Sequence, residues 1–129
     1  MKLKPVVDLG TGNAGCGDVT IHRVGIDLIV RYESGLRPGR FDVLRFNDAA
    51  VFDFRSEGFA SVGDLAFDHV HRVLDSDWLE TLWSAHRSLP GGAGTKRHFV
   101  VYLSDFGQID VLAEGVTRVE GEGDAVGTA

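Results

Sequence analysis

Val24-Gly25-Ile26-Asp27-Leu28-Ile29-Val30-Arg31-Tyr32-Glu33 sets the frame for the whole chain. Apolar residues stand at 24, 26, 28, 30 and 32, with Asp27, Arg31 and Glu33 between them. Side chains of a strand point alternately to its two faces. A period of two therefore predicts a strand with one face in the core and one in water. Ile29 is the apolar exception on the wet face. Just upstream, Asp18-Val19-Thr20-Ile21-His22-Arg23 alternates in the opposite phase, and Gly25 lies near the break. A bulge or a tight turn at Gly25 accounts for the slip.

The same pattern continues outward. Gly35-Leu36-Arg37-Pro38-Gly39 is a turn by its Pro and Gly content. Arg40–Phe46 and Ala50–Arg55 read as a hairpin around Asn47-Asp48, with Phe46, Phe52 and Phe54 as its apolar mass. Leu65–Leu74 is a further strand, in which Leu65, Phe67 and Val73 share a phase with His69 and His71. His98–Leu103 and Gln108–Ala113 flank the connection Ser104-Asp105-Phe106-Gly107 and predict another hairpin. The 98–103 strand is expected at a sheet edge, where it could pair across a two-fold axis to form a homodimer.

One segment breaks the alternation. Trp78, Leu79, Leu82, Trp83, Ala85, His86 and Leu89 recur with helical spacing. Ser76 or Asp77 can cap the first turn, Asp77 with Glu80 approximates a capping box, and Pro90-Gly91-Gly92 stops the helix. The fold class expected is α+β. A mainly antiparallel sheet of about six to eight strands forms a sandwich or half-barrel, with one amphipathic helix at 76–89 packed on one side or at an end. Residues 1–16 are expected to be a flexible glycine-rich segment, 17–120 the single domain, and 121–129 a disordered tail.

Composition bounds the function. A chain of 129 residues can bury one core without staples. Thirteen Lys and Arg against nineteen Asp and Glu give a formal charge of −6. That argues against a nucleic-acid grip, which needs basic residues gathered on one face, and Lys96-Arg97-His98 is too short a cluster. An acidic surface suits a basic protein partner. Cys16 is the single cysteine, so no disulfide forms within the chain. No apolar run has the length of a signal peptide or a membrane span, and the expected location is cytoplasmic.

The motifs with chemical potential are few. Gly10-Thr11-Gly12-Asn13-Ala14-Gly15 matches GxGxxG, but β-branched residues follow where a dinucleotide site needs a helix to open. The glycines are expected to form a loop, and no cofactor is implied. Asp8, Asn13 and Asp18 could share a cation but lack the spacing of a calcium loop. Asp105-Phe106-Gly107 matches a kinase magnesium tripeptide without the rest of a kinase, and reads as a turn. His69 and His71, two apart on a strand, project from one face and are the candidate metal ligands. A third ligand is needed, such as one from the neighbours of Asp68, or His22, His98 or Cys16. Cys16, between two glycines, is expected to be accessible, with no partner nearby to activate its thiol. No GxSxG marks a serine nucleophile. Glu57, Asp64, Asp68, Asp75 and Asp77 form an acidic stretch, read as a solvated strand edge or as a docking face for a basic partner.

Phe52-Asp53-Phe54-Arg55-Ser56-Glu57, Leu65 to Val73, Ser76-Asp77-Trp78-Leu79 and His98 to Glu114 together resemble a group of small bacterial proteins without an assigned activity. In that group a strand leads through a Ser-x-Trp-Leu step into a helix, and a closing hairpin reads His-Phe-x-x-Tyr through Asp-Val-Leu-Ala-Glu. The resemblance covers residues 52–114 and is carried by apolar and turn positions. Some members are similar to immunity proteins of interbacterial toxin systems, which are small, acidic, cytosolic and non-catalytic. Two functional expectations result. The first is a non-enzymatic protein-binding module, immunity-like, acting on a basic partner. The alternative is a small ligand- or metal-binding enzyme that uses His69 and His71.

Overall fold

The computed structural model describes residues 2–11, 15–56, 69–86, 96–103 and 106–120. Along the chain these form β1 (Leu3–Asp8), β2 (Cys16–Val24), β3 (Asp27–Ser34), β4 (Phe41–Asn47), β5 (Val51–Ser56), β6 (His69–Val73), α1 (Asp77–His86), β7 (Arg97–Leu103), β8 (Gly107–Ala113) and β9 (Gly115–Val119). The strands make two antiparallel sheets, ordered β1-β6-β7-β8-β5 and β2-β3-β4-β9. With one short helix among the described residues, this is the expected α+β fold, sandwich-like, and neither sheet closes into a barrel. No helix among the described residues is long and apolar enough to cross a membrane.

The alternation around Leu28 belongs to two strands, not one. Gly25 takes a φ of 61°, and Val24 pairs with Asp27. Gly25-Ile26 is thus a two-residue hairpin with glycine at the position that needs a positive φ. Val24 and Ile26 share the core phase in sequence but lie at this tip, where Ile26 is 64% exposed. Beyond the turn the pattern holds. Leu28, Val30 and Tyr32 of β3 and Leu44 and Phe46 of β4 are fully buried. They pack on Val70, Phe99, Val101, Leu103, Ile109 and Val111 from the facing sheet. Each large side chain so buried contributes about 1.5–3 kcal/mol.

The hairpin expected at Asn47-Asp48 does not form. β4 pairs with β3 and β9, whereas β5 pairs with β8 in the other sheet. The chain crosses between sheets at Asp48, Ala49 and Ala50. Its partner crosses at the same place, because β8 passes through Glu114 into β9. The amide of Glu114 donates to the Asn47 carbonyl, and that of Ala50 to the Leu112 carbonyl. Three residues on one strand lie against Ala113 and Glu114 on the other, and a bulge of this kind turns the corner of a sandwich. Asp48 takes a φ of 47°, and its amide is held by Asp27 Oδ1 at 2.9 Å. Asn-Asp is turn chemistry, as expected; the turn leads to the wrong partner.

Three other expectations change. Residues 1–16 are not one flexible segment. β1 pairs along β6, and Leu9 is wholly buried in the core. Gly115–Val119 adds β9 as a second unforeseen edge, giving nine strands among the described residues. The 98–103 strand is not an edge, since β7 lies between β6 and β8. Among the described residues the edges of the sheets are β1, β5, β2 and β9. The predicted strand from Leu65 is seen from His69 onward, and the helix expected at 76–89 runs from Asp77 to His86. Residues 57–68, 87–95 and 121–129 lie outside the described part of the chain.

Candidate functional site

Register decides which side chains share the outer face of the five-stranded sheet. His98 pairs with Leu112, Val100 with Asp110 and Tyr102 with Gln108. His71 pairs with Val100 and Val73 with His98. Directly paired residues of an antiparallel sheet project to the same side. His71, His98, Gln108 and Asp110 therefore share the face turned away from the sandwich core. All four are buried, at 4%, 8%, 3% and 8% exposure. Buried polar groups at the centre of a sheet are costly unless they are hydrogen-bonded.

Three of them join Ser76 in a chain of hydrogen bonds. Gln108 Nε2 donates to Asp110 Oδ2 at 2.8 Å, and Asp110 Oδ1 lies 2.7 Å from His98 Nε2. The other imidazole nitrogen, Nδ1, lies 2.6 Å from Ser76 Oγ. The carboxylate can only accept, so Nε2 carries the hydrogen, and in the neutral imidazole Nδ1 is then the acceptor for the serine hydroxyl. Ser76 is also the cap of α1, because its Oγ accepts the Leu79 amide at 3.0 Å. Of the two caps the sequence offers, Ser76 and Asp77, the structure uses Ser76, with Leu79 at the third helical position. Trp78 stands edge-on to the His98 ring with centroids 5.3 Å apart. A single polar relay thus ties the start of the helix to β7 and β8, two inner strands of the sheet.

The corner between β6 and α1 opens to solvent in two adjoining depressions. One, of about 250 Å³, is lined by Val73, Asp75, Ser76, Asp77, Trp78 and His98. The other, of about 340 Å³, runs from Arg72 to Glu80. Asp75, Asp77 and Glu80 are exposed on the rim. The Lys2 backbone amide donates to Asp75 Oδ1 at 2.7 Å, and this bond holds the Asp75 carboxyl below the usual carboxylate range. Asp77 and Glu80 sit in the first helical turn, where the positive end of the helix dipole favours negative charge.

The residues singled out from the sequence are scattered by comparison. His69 and His71 do share a face, with ring centroids 6.3 Å apart. His69 Nε2 lies 3.9 Å from Asp8 Oδ2. The proposed third ligands are elsewhere or engaged. His22 pairs with Ile29 on the outer face of the opposite sheet, and Cys16 packs on the core between the sheets. Both nitrogens of His98 are used in the relay. Among the described residues no group of three His, Cys, Asp or Glu side chains is placed to hold a metal ion. Cys16 is half-buried rather than open, and burial, with Asp42 nearby, pushes its thiol up to about 11. The basic triplet is consumed locally. Lys96 pairs with Asp48 at 2.7 Å, Arg97 donates to the Glu114 carbonyl, and His98 is buried. After Gly15 the chain enters β2, so the glycine motif opens no helix. Asn13 and Asp105 lie outside the described residues.

Sequence reasoning missed the relay for a register reason. A four-residue connection, 104–107, would pair Leu103 with Gln108 and place His98 beside Ala113. In the structure Gly107 is already in the strand and pairs with Leu103. A shift of one residue flips which side chains meet. Setting the apolar residues Phe99-Val101-Leu103 and Ile109-Val111-Ala113 on one face excludes the odd register and places His98 and Asp110 together on the other face. A scan against protein-family models and searches of curated proteins and of solved structures found no match to this chain.

Proposed function

We propose that this protein is a binding module that takes a basic segment of a protein partner at the corner between β6 and α1. One observation carries the reading: the two adjoining depressions are lined by the apolar side chains Val73, Leu74 and Trp78 together with three carboxylates. A Lys or Arg side chain fits such a recess, since its aliphatic stem packs on apolar surface while its charge meets Asp75, Asp77 and Glu80. Among the described residues Arg72 is the one cation in the lining, against three carboxylates. The chain's overall charge of −6 adds long-range attraction for the same partner. An immunity-like role, in which a small acidic protein blocks a basic toxin surface in the cytoplasm, is the biological form of this proposal.

The test uses a fluorescent Arg/Lys-rich peptide as the probe, with a Glu-rich peptide of equal length as control. Anisotropy should show binding of the basic peptide alone, weakening as salt rises through the physiological range. The combined variant Asp75→Asn, Asp77→Asn and Glu80→Gln should weaken it at least tenfold. Equal affinity of the variant and the native chain, or equal binding of both peptides, would remove this corner as the recognition surface.

A further inference from the structure

We infer that Ser76 is a nucleophile with His98 as its general base, so that the corner can carry out acyl transfer on small carboxylic esters. The local chain path supports this. Ser76 stands between the end of a strand and the start of a helix, after only Leu74 and Asp75. A serine so placed presents its hydroxyl at the surface of the sheet, and here it lines the 250 Å³ depression together with His98. The Ser76 hydroxyl oxygen lies 2.6 Å from His98 Nδ1, within the reach required of a base that removes its proton. Asp110, fixed in turn by Gln108, holds the hydrogen on Nε2 and so leaves Nδ1 free to accept. Asp110 is a positioning residue. The arrangement has the logic of a nucleophile, a base and an orienting carboxylate, with the two ring nitrogens exchanged relative to the usual serine triad.

The helix supplies the remaining part. The first amides of an α-helix, here those of Asp77 and Trp78, have no acceptor within the helix. An ester carbonyl next to Ser76 Oγ would direct its oxygen toward them as negative charge develops there. Ser76 Oγ forms a bond to the carbonyl carbon while its proton passes to His98 Nδ1. The tetrahedral intermediate collapses, the bond to the alcohol oxygen breaks, and the alcohol leaves with that proton. Water then attacks the acyl-serine, gives a proton to His98 Nδ1, and releases the acid as Ser76 Oγ recovers the proton. No metal or redox partner enters the balance.

Neutral small probes separate this inference from the charge-based binding reading, because they do not depend on the acidic rim. The full chain is treated with a fluorophosphonate and, separately, with p-nitrophenyl acetate. The expected results are one adduct on the Ser76 peptide by mass spectrometry and a nitrophenolate burst close to one equivalent. Ser76→Asn keeps a side-chain oxygen for the cap but has no nucleophile, and should be unlabelled with an unchanged circular dichroism spectrum. His98→Gln should label at least a hundredfold more slowly. The 15N spectrum should show His98 protonated on Nε2, and Asp110→Asn should lose that signature. Urea-unfolded native protein controls for variants that fail to fold. Absence of an adduct at Ser76, or labelling that is equally fast in the unfolded chain, overturns the inference.

Discussion

His98 and Cys16 illustrate how position, more than residue type, sets the chemistry of a side chain. His98 is fixed in one tautomer because a carboxylate meets one nitrogen and a hydroxyl the other. His22, on the opposite sheet, is exposed and has no such frame. Cys16 lies between glycines in sequence, a setting that suggests access, yet its strand turns the thiol toward the core. Desolvation penalises the thiolate, and the folded chain therefore holds this proton more tightly than the unfolded chain does. The sign follows directly. Between pH 9, where the unfolded thiol titrates, and about 11, where the folded one does, the native state binds more protons, and stability falls as pH rises. Tyr32 adds to the fall from pH 10 upward, because burial raises its phenol also. Urea midpoints measured at half-unit steps should drop less from pH 9 to 10 in Cys16→Ala than in the native chain. A thiol reagent at pH 8 should modify the folded protein far more slowly than the unfolded one.

At the scale of elements, the closing hairpin and the sheet corner hold the outer face in place. Gly107 takes a φ of 141°, and a Cβ built there would lie 2.2 Å from the Arg55 carbonyl oxygen. Both the backbone conformation and the approach of β5 demand glycine, which is why this residue can begin β8 and set its register one residue short of the expected turn. Gly107→Ala should destabilise the fold by more than about 1 kcal/mol, seen as a lower thermal midpoint. It should also shift the amide signals of Gln108 and Asp110, because their strand must move. The helix was legible in the sequence, from its apolar spacing and from Ser76 as a cap. Its docking was not, since the partners of that cap, His98 and beyond it Asp110, come from strands 22 and 34 residues further along the chain. The crossover at Asp48 was equally hidden. Local turn chemistry specifies that the chain bends, and the bulge opposite Ala113 and Glu114 specifies which sheet it joins.

Across the whole molecule, the two sheets are joined by contacts that begin near the N-terminus. Leu9 is fully buried against the core, Tyr32 donates to its carbonyl at 2.7 Å, and Arg118 donates to the Asp8 carbonyl at 2.8 Å. A side chain from just after an edge strand of one sheet thus fills space against the other. Leu9→Ala should cost about 2–5 kcal/mol in urea unfolding, whereas a flexible leader would give no change. The sequence by itself determined the class of the fold, because a period of two is a property of each strand alone and one stretch of helical spacing interrupts it. It also determined the helix after Ser76 and the core face of β3, Leu28, Val30 and Tyr32. Only the tertiary structure decided which strands pair, that residues 3–9 belong to the core, and that Ser76, His98 and Asp110 meet. Pairing and register depend on contacts between distant segments. Alternation is satisfied equally well by several such pairings, and the packed core selects one.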